Sequence, residues 1–402
     1  MIEIRLRKIV DSLAYIILLS FPLYYALREY SPISSIIFAL IVILSFACCA
    51  VLNIMENSQK LSNSLILEIL IVFNIAVLFI FFSYADRALI LLLLTLIISK
   101  CIFFSTGNHF KHAANAIIIS SIVGSIGVIL GFVEVFLSDT NILYQVMDFD
   151  YPYSNGTNPT ILVNGFFASA NGSAYCIGAG LAFVKYQTIF QNFSKKIIYI
   201  LLIISLAITK AKFAFLIFAA LLIVFILKSY SKKTLGILLL GLGLSYIFLS
   251  HIIVAISGSY NYPSIHFREI LFSIKEIDFI LGNYGIYKLY SLEAVKDSLF
   301  IPLGLSNFEL IYGSRPHFMF GSLIVYGGIS IAIFTISYLY IFLKESINNL
   351  VSGLSENIIY FSILFAFLIE TVNWDFSNNF YFWALIFSSS SILHKKIEKA
   401  SG

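Results

Sequence analysis

Charged side chains are scarce in this sequence. They make up 11% of its 402 residues, whereas 60% of the residues are hydrophobic. Because soluble globular domains are about one quarter charged, this shortage excludes a domain surrounded by water and predicts a polytopic membrane protein. No tract rich in lysine and arginine with interleaved aromatic residues occurs in a polar segment, so the sequence does not support nucleic acid as a partner.

Cysteine is also rare, with four residues in the chain, and all four fall inside apolar runs. None lies in the two longest polar segments, so no disulfide framework is indicated. No cysteine and histidine cluster has the spacing of a zinc site, and no cofactor is predicted. The residues Cys48, Cys49, Cys101 and Cys176 are expected to be small buried side chains.

Long apolar runs are what the chain has in abundance. A membrane-spanning helix needs about 20 apolar residues, and about twelve runs approach that length. They cover residues 9–27, 33–52, 64–83, 88–106, 113–137, 164–184, 197–209, 212–227, 234–256, 317–343, 357–372 and 379–394. The first run is long and lacks a small-residue cleavage site, so it is interpreted as a retained helix and not a signal peptide. The sequence predicts one all-α membrane domain over residues 1–402.

Lysine and arginine predict the orientation of these helices. If the N-terminus is cytoplasmic and the helices alternate, 16 of the 25 basic residues face the cytoplasm. Five of the others share one long loop, and long loops escape the positive-inside rule. Both termini are therefore predicted to be cytoplasmic, with two long periplasmic loops, 138–163 and 257–316. Within the second loop, the apolar spacing of SIHFREILFSIKEIDFIL predicts an amphipathic helix near the membrane surface.

A histidine stands where the second loop meets the tenth apolar run, in the sequence SRPH (314–317). Ser314 can cap a helix and Pro316 suits its first turn, which places His317 in that first turn at the outer face. The helix dipole there disfavours imidazolium, so the neutral ring can accept a proton. The same helix end favours a bound anion such as a diphosphate. The alternative is an interfacial histidine that binds water or lipid headgroups.

Basic residues on the same face are candidates for binding that anion. Lys210 and Lys212 lie in a very tight turn between the seventh and eighth runs, and Arg268 and Arg315 lie near the two ends of the second loop. Arginine suits bidentate contact with phosphate, and cations near the membrane usually have anionic partners. Lysine side chains that reach lipid phosphates, and ordinary surface charges, are the alternatives.

The carboxylates in the sequence indicate a function less strongly than the histidine and the basic residues do. Glu68, Glu134 and Glu370 fall inside apolar runs, where a proton or ion pathway is one interpretation. Because each is near a helix end, we expect each to reach water or to pair with a lysine. The sequence DFD at 148–150 resembles acidic pairs that hold a divalent metal. Two acids in a loop rich in tyrosine and asparagine are common by chance, so no metal is predicted.

The sixth run, NGFFASANGSAYCIGAGLAF (164–183), is rich in small residues, which allow close helix packing. Asn171 and Gly172 predict a break near the outer surface. Such a break is tolerated only where the backbone lines protein or a wet cavity.

The order of these features resembles the O-antigen polymerase and O-antigen ligase superfamily of bacterial envelope glycosyltransferases. The resemblance covers roughly residues 164–343 and rests on four segments: NGFFASANGSAYCIGAG, TKAK, HFREILFSIKEIDFILGNYG and RPHFMFGSLIVYGGISI. Two residues depart from the family pattern. Lys212 stands where the family usually has arginine, and Phe318 stands where it usually has asparagine after the histidine.

The resemblance implies a GT-C-like fold and a metal-independent polymerase at the periplasmic face of the bacterial inner membrane. Such an enzyme would use undecaprenyl-diphosphate-linked oligosaccharides as substrates. Its other implied partners are membrane lipids and a chain-length regulator protein. His317 would be the general base, and Arg268, Lys212 and Arg315 would bind the donor diphosphate, with Lys210 and Asn171 completing the substrate-binding set. The alternatives are a ligase that transfers polysaccharide to lipid A–core, a flippase for lipid-linked oligosaccharides, and a metal-dependent transferase that uses DFD.

Overall fold

The computed structural model describes residues 2–28, 33–57, 63–82, 86–104, 107–137, 143–147, 160–167, 169–190, 192–227, 294–296, 298, 301–312, 315–316, 318–353, 357–371 and 375–389. Nearly all of these residues are helical. Four helices are long and apolar enough to cross a membrane, by length and composition, over Ile36–Met55, Asn63–Ile80, Asn108–Leu137 and Met319–Lys344. The chain is therefore a largely α-helical membrane protein, and the larger number of about twelve spans stays a prediction.

The described residues up to position 227 form eight helices, and each overlaps one of the first eight apolar runs. They are α1 (Ile2–Arg28), α2 (Ile33–Asn57), α3 (Asn63–Phe82), α4 (Arg87–Phe103), α5 (Gly107–Leu137), α6 (Ala170–Phe183), α7 (Asn192–Ile208) and α8 (Lys212–Leu227). The later helices are α9 (Leu305–Tyr312), α10 (Met319–Gly353), α11 (Ile358–Glu370) and α12 (Phe380–Ser389). The ninth run, 234–256, and the amphipathic segment predicted around residue 270 lie outside the described residues.

The first long loop contains two short strands, which the all-α prediction did not include. β1 (Tyr144–Met147) pairs antiparallel with β2 (Thr160–Val163), with Tyr144 opposite Val163. The ribbon is held on α5, because Glu134 accepts a hydrogen bond of 2.8 Å from the Leu143 amide. A Cβ at Gly131 would lie 2.7 Å from the Leu143 carbonyl oxygen, so the glycine permits this close approach. Glu134 thus binds backbone at the start of the ribbon.

The sixth apolar run does not begin as a helix at residue 164. Asn164 and the residues after it form an irregular segment, and Ser169 caps α6 by accepting a hydrogen bond of 3.1 Å from the Gly172 amide. Gly165 has a φ of 59°, which a glycine adopts without strain. The predicted break at Asn171 is therefore wrong in position: Asn171 lies in the first turn of α6, and the irregular backbone precedes it.

A buried polar cluster joins four helices near one end of the bundle. Glu68 of α3 forms an ion pair of 2.6 Å with Lys100 of α4 and accepts a hydrogen bond of 2.6 Å from the Tyr338 hydroxyl of α10. Its second oxygen accepts a hydrogen bond of 2.7 Å from Asn53 of α2. We call these four residues the Glu68 cluster. The expectation that Glu68 pairs with a lysine is confirmed.

The start of α10 differs from its prediction. The helix begins at Met319, so His317 precedes it and does not lie in its first turn. Phe318 is the capping residue, since its carbonyl accepts a hydrogen bond of 3.0 Å from the Ser322 amide. The Met319 amide in turn donates to the Thr371 carbonyl at 2.9 Å, so the end of α11 determines where α10 starts.

Candidate functional site

Four aromatic rings bring three helices together at one end of the bundle. Tyr175 of α6 lies 4.7 Å from Phe213 of α8 and 4.9 Å from Phe376, between ring centroids. Phe213 lies 4.6 Å from Phe367 of α11. These rings lie at the end of the bundle where α4, α6, α8 and α10 begin. We call this end the site end.

Three of the predicted substrate-binding residues lie next to these rings along the chain. Asn171 is one helical turn before Tyr175, and Lys212 directly precedes Phe213. The side chain of Lys212 lies outside the described residues. The tight turn predicted between α7 and α8 is confirmed: it contains Lys210, which is exposed and has a φ of 50°.

Three asparagine amides at the site end have a buried oxygen atom without a described hydrogen-bond partner. The Oδ1 atoms of Asn164, Asn171 and Asn378 are buried and accept no hydrogen bond within the described part of the chain. A buried polar atom without a partner costs free energy, so such atoms mark places where water or a ligand completes the hydrogen bonding. Side-chain amides both donate and accept, which suits the hydroxyl groups of a saccharide.

The segment before α10 is tightly packed. Pro316 and Phe318 are buried, whereas His317 between them in the sequence lies outside the described residues. Phe318 has a φ of 59°, and its ring lies over Gly321 so closely that a Cβ at Gly321 would overlap it. The Ser322 hydroxyl contacts the carbonyls of Pro316 at 3.3 Å and Phe318 at 3.1 Å.

A carboxylate that the sequence reasoning missed adjoins this segment. Asp375 accepts hydrogen bonds from the Tyr326 hydroxyl at 3.2 Å and from the Ser377 amide at 2.9 Å. Burial raises the pKa of the Asp375 carboxyl to about 6, although hydrogen bonds from Ser377, Tyr326 and Ser322 act in the opposite direction. We call Ser322, Tyr326, Asp375 and Ser377 the Asp375 cluster. The sequence signal for this cluster is the turn DFS (375–377). In such a turn the aspartate side chain accepts a hydrogen bond from the backbone amide two residues later.

A second carboxylate connects two helices at the site end. Asp86 caps α4 by accepting a hydrogen bond of 2.7 Å from the Ala88 amide, and its other oxygen accepts one of 2.6 Å from the Leu305 amide. Asp86 thus joins the start of α9 to the start of α4.

Arg315 already has a partner at the surface. Its Nε lies 2.7 Å from Oε1 of Glu309, and the two side chains are 76% and 40% exposed. Exposed ion pairs of this kind are weak, so a phosphate can replace the carboxylate at little cost.

The structure gives no position for the other predicted site residues. Arg268, His317 and the DFD segment (148–150) lie outside the described residues. In the part of the chain that is described, no group of three or more histidine, cysteine, aspartate or glutamate side chains could hold a metal. Asn171, Lys210 and Arg315 all lie near the site end, but no contact between their side chains is described.

Known proteins do not assign this chain to a family. It matches no protein-family model and no curated protein sequence. The resemblance to O-antigen polymerases and ligases therefore rests on the four sequence segments alone.

Proposed function

We propose that this chain is a membrane glycosyltransferase that polymerises a lipid-linked surface polysaccharide at the periplasmic face of a bacterial inner membrane. The observation that carries the proposal is the position of backbone strain. Among the described residues, two non-glycine residues have a positive φ, Lys210 and Phe318. Strained residues persist where the surrounding structure holds them, and they concentrate at functional sites. One lies in TKAK and the other in RPHF, two of the four segments that carry the family resemblance.

The backbone at Phe318 supports matching this position to the family's histidine motif. Asparagine is several-fold enriched in the left-handed region that a φ of 59° occupies. The family pattern has asparagine at this point, so the backbone suits the family residue better than the phenylalanine present. In place of that amide, the Ser322 hydroxyl contacts the carbonyls of Pro316 and Phe318 in this segment.

The chemistry follows from the residue types. His317 takes the proton of the acceptor sugar hydroxyl, whose oxygen forms a bond to the anomeric carbon of the donor glycan. The bond from that carbon to the diphosphate breaks, and undecaprenyl diphosphate leaves with the electron pair. Arg268, Arg315, Lys210 and Lys212 offset the charge on the leaving diphosphate. No nucleotide sugar is present at that face, which makes a lipid-linked donor chemically sensible.

A chain-length ladder tests this proposal. In a strain that makes the matching glycan, His317→Ala should leave surface lipopolysaccharide that carries one repeat unit. His112→Ala is the control, because His112 is exposed near the start of α5, at the other end of the bundle, and contacts Tyr15. A normal ladder from His317→Ala contradicts the general-base role. Loss of all attached glycan, with polymer left on the lipid carrier, indicates the ligase instead.

Purified protein tests the remaining roles. Lys212→Ala should raise KM for the lipid diphosphate donor and change KM for the acceptor little, because a cation that holds the diphosphate does not touch the acceptor. An unchanged donor KM contradicts the phosphate-binding role. Activity lost in EDTA and restored by a divalent cation contradicts the metal-independent mechanism and favours the DFD alternative.

A further inference from the structure

The end of the second loop presents exposed apolar side chains. α9 packs Phe308 and Tyr312 toward α10, where Phe308 is buried against Val325. Leu310 lies on the opposite side of this short helix and is 84% exposed, and Ile311 lies on its flank and is 61% exposed. Both residues would face water if α9 stood clear of the membrane. The depth of α9 therefore decides what covers them.

Val325 gives that depth. The Gly304 amide donates a hydrogen bond of 2.9 Å to the Val325 carbonyl, and Phe308 packs against the same residue. The first turn of α9, which ends at Phe308, is therefore level with Val325 of the apolar segment Met319–Lys344. After Gly328, where the helix is interrupted, α10 spans about 22 Å from Ile329 to Lys344 at a rise of 1.5 Å per residue, and Val325 lies one turn further. The two lengths together are close to the ~30 Å thickness of the hydrocarbon layer, so α9 lies at the boundary of this layer and not above it.

The backbone of this region is satisfied by the protein, as backbone at membrane depth requires. Gly328 has non-helical dihedral angles, with φ 73° and ψ 175°, and interrupts α10. The interruption explains why the Val325 carbonyl, one turn earlier, accepts the Gly304 amide. On the other side, the Leu305 amide donates to Asp86 at 2.6 Å. α9 is thus anchored on α4 and α10 together.

We propose that α9 is an interfacial helix that inserts Leu310 and Ile311 into the acyl boundary of the bilayer. Apolar side chains at this depth are stabilised by lipid, and the exposed pair of Arg315 and Glu309 lies beside them at headgroup level. The exposed face continues onto α10, where Phe320 is 41% exposed. The insertion would hold the segment before α10 at the membrane surface. This inference does not depend on the proposed enzyme activity.

Spin labels in nanodiscs test the inference. Nitroxides are attached to Leu310→Cys and Ile311→Cys, and collisions with oxygen, which enters lipid, are compared with those of a water-soluble nickel chelate. Lys296→Cys supplies a water-facing reference, and Ile333→Cys, whose side chain is 51% exposed on α10, supplies a lipid reference. The wild type, labelled in parallel, gives the background from the four native cysteines.

We expect the oxygen-to-nickel ratio at positions 310 and 311 to exceed that at 296 and to approach that at 333. A ratio equal to that at 296 overturns the proposal in favour of a water-exposed loop. Low collision rates with both reagents overturn it in favour of a protein partner. Ile301→Cys provides a third position at which the same ratio is measured, because Ile301 is 60% exposed and precedes α9.

Discussion

Two tyrosines of α10 each take part in a buried polar cluster, and the clusters differ in how charge is handled. In the Glu68 cluster, the carboxylate that Tyr338 contacts is neutralised by Lys100 at 2.6 Å. In the Asp375 cluster, the carboxylate accepts hydrogen bonds from uncharged groups, among them the Tyr326 hydroxyl and the Ser377 amide. The two tyrosines are 12 residues apart in the sequence, on either side of the interruption at Gly328.

The difference separates a structural contact from a candidate site. The Glu68 cluster satisfies its charges and links α2, α3, α4 and α10, so it specifies how these helices pack. The Asp375 cluster keeps a carboxyl whose pKa is raised and lies beside strained backbone. Folded proteins tolerate such departures mainly at functional sites. The comparison yields four predictions.

The largest effect is expected from Lys100→Met, which leaves the Glu68 carboxylate buried without its counter-charge. Removing one partner of a buried ion pair costs about 3–5 kcal/mol. Thermal unfolding in nanodiscs should show this loss, and Lys344→Met, at an exposed lysine, should not. The double variant Glu68→Gln with Lys100→Met should recover much of the stability. A single variant as stable as the wild type would show that the Glu68 cluster does not hold the helices together.

A smaller loss is expected from Gly321→Ala, because the added methyl group overlaps the Phe318 ring. Overpacking of this kind costs about 1–3 kcal/mol. Gly172→Ala is the matched control: its Cβ would meet Phe167 at an ordinary 3.4 Å, so the helix should be unchanged or more stable. Adding Phe318→Asn to Gly321→Ala should restore stability, because it removes the ring and suits the positive φ. If the double variant is no more stable than Gly321→Ala, the packing of the Phe318 ring over Gly321 is contradicted.

Asp375→Asn should change stability in a pH-dependent way. Burial raises the pKa of Asp375 from 3.8 to about 6, so the stability that the protonated form contributes is present below pH 3.8 and is lost as the pH rises through 6. Asparagine does not ionise and can still accept from the Ser377 amide. The melting temperature of the variant relative to wild type should therefore rise between pH 5 and pH 8. A difference that does not vary with pH would contradict the burial of this carboxyl.

The smallest effect on stability is expected from Arg315→Gln. The pair with Glu309 is exposed, and such pairs contribute about 0–1 kcal/mol. If Arg315 binds the donor diphosphate, activity should fall through a higher donor KM while the melting temperature stays within a degree or two of wild type, as the small contribution implies. Unchanged kinetics would remove Arg315 from the proposed site, and a large fall in melting temperature would make its role structural.

Apolar runs predicted most of the described helices, because a helix that faces lipid must be apolar along its whole length. Helix starts were harder to predict. The local signals in SRPH favour a start at Pro316, but the bond from Met319 to Thr371 places it later. The pairing of Glu68 with a lysine was expected, yet 32 residues separate it from Lys100 and nothing local selects that partner. Asp375 was missed because its environment comes from α10, which is distant in sequence.

The sequence by itself determined that this is a helical membrane protein, because hydropathy and helix length are local properties of the chain. It also indicated the segments that carry the candidate chemistry, TKAK and RPHF among them. Only the tertiary structure decided that Phe318 caps α10 over Gly321, and that α9 lies level with Val325. These features depend on close contacts between distant parts of the chain, since burial and the meeting of helix ends set the geometry there.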